Sequence, residues 1–183
     1  MTKYIFESKR LGFRNWKKTD LDEFAKINEN PKVMEYFPKT LTLNETENFI
    51  ERTMKNFTEK GYNYYATEIL ETVEFIGFIG MGYEIYDNEF YPATNIGWRL
   101  KESAWGKGYA TEGAKKCIDY AFTVLNLEKI IASCIPSNVN SERIMQKIGM
   151  TKKGEFIEPR FKDFPDYEKF ICYEIKNTSK QNT

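Results

Sequence analysis

Hydrophobic and polar positions change period several times along the chain, and each change marks a predicted element. Residues 10–16 alternate, with Leu11 and Phe13 on one side, which predicts a first strand. Thr19 then offers a cap to a helix carrying Leu21, Phe24 and Ala25, and Asn30-Pro31 restarts a shorter helix through Val33 and Met34. Thr42 and Glu45 have capping-box spacing ahead of a longer helix, whose apolar stripe is Thr46, Phe49, Ile50, Thr53 and Phe57 and which Gly61 ends. Strands follow over residues 62–70 and 74–83, joined by a turn at 71–73. A polar, aromatic connection through Asp87-Asn88 leads to a fourth strand over residues 92–100.

The most informative stretch is NIGWRLKESAWGKGYATEGAKKCIDYAF, from Asn95 to Phe122. Past the strand and a glycine loop, Ala110, Ala114, Cys117, Ile118, Ala121 and Leu125 recur at steps of three and four, with Glu112, Lys115, Lys116 and Asp119 opposite. This predicts an amphipathic helix starting near Gly108. Its first turn leaves backbone N–H groups without partners, and the helix dipole adds positive potential there. With glycines at 106 and 108, no Cβ keeps a pyrophosphate from those donors. The loop by itself also fits a tight turn that binds nothing, or a dinucleotide site. A GxxxxGK-S/T phosphate loop is absent, and G-x-G-x-x-G would need a glycine at Thr111 and a place after the first strand.

Residues 129–135 read as a short apolar strand, and residues 136–141 lead into a helix with Ile144, Met145 and Ile148, closed by Gly149. Two last strands, at about 150–158 and 167–175, flank an aromatic, charged hairpin. Residues 1–176 are expected to form a single domain, and the polar tail from 177 to 183 is expected to fray.

Composition narrows the function. A chain of 183 residues, 41% hydrophobic, suits one core, and 27 basic against 27 acidic residues point to neither nucleic acid nor an anionic membrane as partner. The opening MTKYIFESKR lacks a signal-peptide core and no apolar run reaches membrane-span length, so a cytoplasmic protein is expected. Cys117, Cys134 and Cys172 show no CxxC spacing and read as core residues rather than disulfides or a metal site. The chain has 0 histidines, which excludes Ser-His-Asp and Cys-His nucleophiles and histidine-ligated metals.

Six blocks, RLGFRNW, NPKVMEYFP, FIGFIG, PATNIGWRL, WGKGYATEGA and NSERIMQKIGM, resemble in content and order the GNAT N-acetyltransferases. The loop resembles their acetyl-coenzyme A signature, Gln/Arg-x-x-Gly-x-Gly/Ala, with Gly108 and Ala110 at the small positions and Trp105 in the first. That tryptophan is similar to the RimJ/RimL-type ribosomal-protein branch. The resemblance implies an α/β GNAT fold: a mixed, mostly antiparallel sheet of roughly seven strands, splayed between the fourth and fifth, with about four helices. It implies acetyl-CoA as cofactor and coenzyme A as product. Backbone groups of Trp98, Arg99 and Leu100 would hold the pantetheine, and Trp105, Gly106, Lys107, Gly108, Tyr109, Ala110 and Thr111 the pyrophosphate. Asn138 would hold the pantetheine and Ser141 face the sulfur. Both also read as ordinary residues of a helix start.

An amine must be neutral to attack a thioester. At pH 7 this costs about 1 kcal/mol for an α-amine of pKa about 7.8 and about 4.6 kcal/mol for a lysine at about 10.4. The related PAVEIGWRL pattern has glutamate where this chain has Asn95, whose amide cannot take a proton at neutral pH but can hold a relay water. Glu84, Asp87 and Glu89 are substitutes by position, Glu84 foremost, and each also reads as a solvated loop carboxylate. Aromatic clusters at 83–91 and 156–170 read either as walls for a cationic amine or as hairpin packing. The acceptor is then a protein N-terminus or a small amine, and the protein a monomer or homodimer. An acyl-CoA sensor without catalysis is the second reading.

Overall fold

The computed structural model describes residues 3–178. Its strands are β1 (Phe6–Glu7), β2 (Leu11–Arg14), β3 (Tyr64–Ile69), β4 (Glu74–Glu84), β5 (Ala93–Leu100), β6 (Lys129–Cys134), β7 (Thr151–Ile157) and β8 (Lys169–Lys176). The helices are α1 (Leu21–Glu29), α2 (Leu43–Lys60), α3 (Tyr109–Thr123) and α4 (Val139–Lys147). All eight strands form one sheet in the order β1-β2-β3-β4-β5-β6-β8-β7, antiparallel except between β5 and β6. This is the mixed α/β fold the resemblance implied, with one strand more. Phe6–Glu7 pairs with Gly12 and Phe13, and two residues are too short to show a period.

Strand alternation separates two cores. Ile79, Met81, Ile96 and Leu100 face α3, where Ala114, Cys117, Ile118 and Ala121 meet them. Tyr64, Ala66 and Phe78 face the other way, against Phe24 and Ile27 of α1 and Ile50 of α2. The small residues of α3 let it lie close to the sheet. A Cβ on Gly113 would stand 2.4 Å from the Ile79 Cδ1 atom, so this mid-helix glycine, which costs about 1 kcal/mol in propensity, is there for the approach. Burial pushes the Cys117 thiol up, and Cys134 and Cys172 up to about 12, as inert core thiols.

Thr42 and Glu45 form the expected capping box, and Gly61 ends α2 at φ +79°. Thr19 does not cap α1, because it lies within a 3-10 turn at Lys18–Asp20. The carboxylate of Asp20 instead accepts the Lys17 N–H and both terminal nitrogens of Arg14. No second helix starts at Pro31. The chain makes turns there, with Met34 N–H donating to Asn30 O at 3.1 Å. Asn177, where the expected tail begins, is buried, and its Nδ2 donates to Phe122 O and Leu127 O. Residues 179–183 of the expected tail lie outside the described residues.

Candidate active site

The sheet is least complete between β5 and β6, which share one register pair, Asn95 with Ile131. From that point β5 stays zipped to β4 through six register pairs, Asn95 to Leu100. The result is a wedge with Asn95 at its apex and residues 96–100 along one wall. The expected splay is thus present, between β5 and β6 once the extra N-terminal strand is counted.

Leu100 is followed by a short 3-10 turn, Glu102–Ala104, then the glycine loop and α3. Gly106 and Gly108 have φ +72° and +80°, a left-handed backbone that other residues adopt at a cost of about 1–2 kcal/mol. At Gly106 nothing lies within 4 Å of where a Cβ would be, so conformation and open space explain this glycine. Gly108 is the N-cap of α3, its carbonyl taking the Glu112 N–H. The N–H groups of Tyr109, Ala110 and Thr111 precede the first intrahelical bond, which gives an anionic diphosphate donors at an uncovered turn. Residues 106–111 therefore fit the pyrophosphate expected of them.

Two residues, Trp105 and Arg10, brace this loop. Trp105 donates its indole N–H to Leu100 O at 2.8 Å and leaves its ring 45% exposed, so the ring and not the N–H is available to a ligand. Behind the loop, Arg10 donates from Nη1 to Lys107 O at 3.0 Å and lies over the Tyr109 ring at 4.6 Å. Arg10 thus joins the loop to the β1–β2 turn.

The side chains of Trp98, Arg99 and Leu100 divide between the two faces of the sheet. Trp98 and Leu100 pack on the α3 side, whereas Arg99 points to the opposite side. There Arg99 donates to Asn28 Oδ1 at 2.8 Å and lies over the rings of Phe37 and Phe78. With the guanidinium held on that face, any contact of Arg99 in the wedge is through its backbone, and burial pushes its pKa down to about 10. Beyond β6, Asn138 caps α4 by accepting the Ser141 N–H at Oδ1, 3.1 Å away. The capping role read from the sequence is therefore filled, and the half-buried Ser141 hydroxyl stands in the first turn of α4.

Glu84 is not a solvated loop carboxylate. It is the last residue of β4, and its Oε2 atom is buried without a partner. Its Oε1 accepts from the Tyr64 hydroxyl at 2.7 Å, and that same hydroxyl accepts from Asn95 Nδ2 at 3.1 Å. Asn95 Oδ1 is likewise buried and unpartnered. Burial raises the Glu84 pKa against the pull of Arg160 and the Tyr64 hydrogen bond. Burial and the Glu84 charge also push the Tyr64 phenol up, keeping it a neutral donor. Asp87 and Glu89 are exposed, as solvated loop carboxylates are.

Tyr64 escaped the sequence reading because a strand tyrosine reads as core. A signal did exist in the glycines. A Cβ on Gly82 would stand 2.8 Å from the Tyr64 ring and one on Gly97 3.3 Å, so these glycines on β4 and β5 make a floor for it. Glu158 was missed as well: fully buried past β7, it holds Arg160 by two bonds of 2.8 Å, and Arg160 covers the Tyr86 ring at 4.4 Å. Tyr91, Phe156 and Phe170, with Phe90, Phe161 and Tyr167 against them, form a third buried cluster, which is packing, while Phe164 is exposed and Tyr83 packs on the α3-side core. Among the described residues no group of three acidic or cysteine side chains is placed to hold a metal, and no helix is long and apolar enough to cross a membrane.

Comparison with known proteins agrees with this geometry. The family model described as "Acetyltransferase (GNAT) domain" matches residues 10–151. An uncharacterized N-acetyltransferase of Bacillus subtilis, YnaD, is 31% identical over 150 residues, covering 81% of this chain and 84% of its own. A GNAT-family acetyltransferase structure from Bacillus anthracis superposes with TM-score 0.74 at 29% identity, covering 93% of this chain and 97% of that one. The fold is shared too with a Vibrio cholerae spermidine N-acetyltransferase in complex with CoA and spermine, at TM-score 0.72 and 22% identity, over 94% and 99% of the two chains. With its glycine loop, its wedge and a family model that matches residues 10–151, the chain belongs to the GNAT acetyltransferases.

Proposed function

We propose that the protein is an acetyl-CoA-dependent N-acetyltransferase of the RimJ/RimL type, acting on a protein N-terminal α-amine or a small primary amine. One observation carries this reading: the wedge at Asn95 opens beside β5, whose end leads through a short 3-10 turn into a loop with two left-handed glycines at the start of α3. Trp105 in the loop supports the branch, and the polyamine named for the Vibrio cholerae relative supports an amine acceptor. Three reduced, buried cysteines and a single domain over residues 1–176 suit a cytoplasmic enzyme, monomeric or homodimeric.

When bound, acetyl-CoA supplies the acyl thioester. The N–H groups of residues 106–111 bind its diphosphate, while backbone groups of Trp98, Arg99 and Leu100, with Asn138, align the pantetheine in the wedge. Holding amine and thioester together removes much of the entropic barrier, so no covalent enzyme intermediate is required. Glu84 takes a proton from the acceptor's ammonium, with Asn95 beside it. As the C–N bond forms and the C–S bond breaks, the nitrogen's second proton leaves with the coenzyme's sulfur, next to the Ser141 hydroxyl. Glu84 returns its proton to water.

The test is purified protein with acetyl-CoA and a panel of N-terminal peptides, spermidine and aminoglycosides, reading free thiol. Turnover with one of them is expected. Asn95, an amide where the related PAVEIGWRL pattern has an acid, favours the second reading, an acyl-CoA sensor. Tight coenzyme A binding with no thiol released by any acceptor would select it.

A further inference from the structure

The hydroxyl of Tyr64 is the only atom that touches both Glu84 and Asn95 in the hydrogen bonds described, and each partner keeps one buried acceptor free, Glu84 Oε2 and Asn95 Oδ1. An inventory of protons makes the gap specific. Asn95 Nδ2 donates one of its two protons to Tyr64 and Tyr64 donates to Glu84, so the chain runs toward the carboxylate and leaves Glu84 Oε2 and Asn95 Oδ1 as acceptors without a donor. Two buried acceptors without donors carry a cost, which a ligand bearing several N–H groups and a positive charge removes. The place is the wedge apex, since Asn95 is the residue paired with Ile131.

Resting on the acetyl-transfer reading above, we propose that Tyr64 is a positioning residue that joins Glu84 and Asn95 into one receptor for the acceptor's protonated amine, with Glu84 Oε2 and Asn95 Oδ1 receiving its N–H groups. This gives position 95 a role that an amide can fill. Asn95 orients the ammonium, and the proton goes to the next carboxylate along the sheet. The Tyr64 ring is fixed for the task by Gly82 and Gly97 beneath it and by Phe78 at 5.2 Å. The groups facing Glu84 are Tyr64 from β3, Arg52 from α2, Tyr86 and Tyr91 from the connection into β5, and Arg160 with Glu158 past β7.

Tyr64→Phe keeps the ring and removes both hydrogen bonds. With 13C-labelled glutamate, the Glu84 carboxyl resonance, assigned through Glu84→Gln, is titrated by NMR in the wild type and in Tyr64→Phe, with and without methylammonium. Glu84 is expected to titrate above ordinary glutamates and higher still in Tyr64→Phe, because a donor to its charged form is lost. Methylammonium lowers the titration midpoint in the wild type and leaves it unmoved in the variant. In turnover with whichever panel acceptor works, kcat/KM falls at least about tenfold in Tyr64→Phe, its acid limb follows the NMR midpoint, and KM for acetyl-CoA stays the same. An identical Glu84 midpoint in both proteins, or no response of the wild type to methylammonium, overturns the proposal. Absence of turnover in the wild type overturns only the acetyl-transfer reading, while the titration still decides the receptor. Asn95→Ala is the second variant: it keeps the Tyr64 to Glu84 bond, so an unchanged methylammonium response there would also remove Asn95 from the receptor.

Discussion

Arg10 and Glu112 meet across 102 residues of sequence, Nε to Oε2 at 2.7 Å, with the Arg10 backbone N–H donating to the other carboxylate oxygen at 2.8 Å. Glu112 lies in the first turn of α3, where an acidic side chain complements the helix dipole. Arg10 is also bonded to Lys107 O, so this pair stiffens the glycine loop from behind. Since Arg10 is 42% exposed, the pair is worth about 1 kcal/mol or less. Arg10→Ala is therefore expected to raise KM for acetyl-CoA about three- to fivefold with kcat nearly unchanged, in steady-state assays.

A stronger effect is expected inside the loop. Gly108→Glu places a carboxylate beside the diphosphate's donors and a side chain on a backbone at φ +80°. Coenzyme A binding measured by calorimetry should vanish, with the circular dichroism spectrum retained. Unchanged affinity would show that the diphosphate binds elsewhere.

Arg14 is the buried charge on which stability turns. Its guanidinium bridges Asp20, through Nη1 and Nη2, and Glu68, through Nε, with all three side chains no more than 7% exposed. Removing the cation leaves the buried Asp20 carboxylate without a counter-charge and Glu68 with Lys3 and Tyr4 alone. Arg14→Leu should lower unfolding free energy in urea by about 3–5 kcal/mol. A cost under about 1 kcal/mol would mean that water reaches the pair.

Glu68 sets the acid limit. Burial works against its charge, and hydrogen bonds from Lys3, Tyr4 and Arg14 outweigh it, holding the pKa down to about 2 from an ordinary 4.5. A carboxyl whose folded pKa is depressed stabilises above the unfolded value, and that stability is lost as pH falls from 4.5 toward 2. The loss is on the order of 1–3 kcal/mol after allowing for screening at the exposed Lys3 side. In Glu68→Gln, melting temperature measured across this window should fall less steeply with acid than in the wild type.

Local rules made part of this molecule legible. The capping box at Thr42 and Glu45, the left-handed stop at Gly61 and the small-residue stripe of α3 rest on short-range chemistry and stood as expected. Expectations failed where a distant partner decides. Asp20, not Thr19, opens α1 because Arg14 draws it inward, and Glu84 read as a loop residue because β4 was expected to stop at 83. The meeting of Tyr64 with Glu84 and Asn95 joins three strands, so it depends on register, of which the glycines at 82 and 97 gave the one local trace.

The single register pair between β5 and β6 has a consequence for heat resistance. Along the open stretch the two halves of the sheet are fastened by the core under α3 rather than by their own ladder. A pantetheine lodged there would act as a missing rung, so the acyl donor doubles as a cross-brace. At a concentration one hundred times its Kd, such a donor adds about 2.7 kcal/mol to the folded state. The loaded enzyme should accordingly melt several degrees above the empty one, as a single cooperative unit.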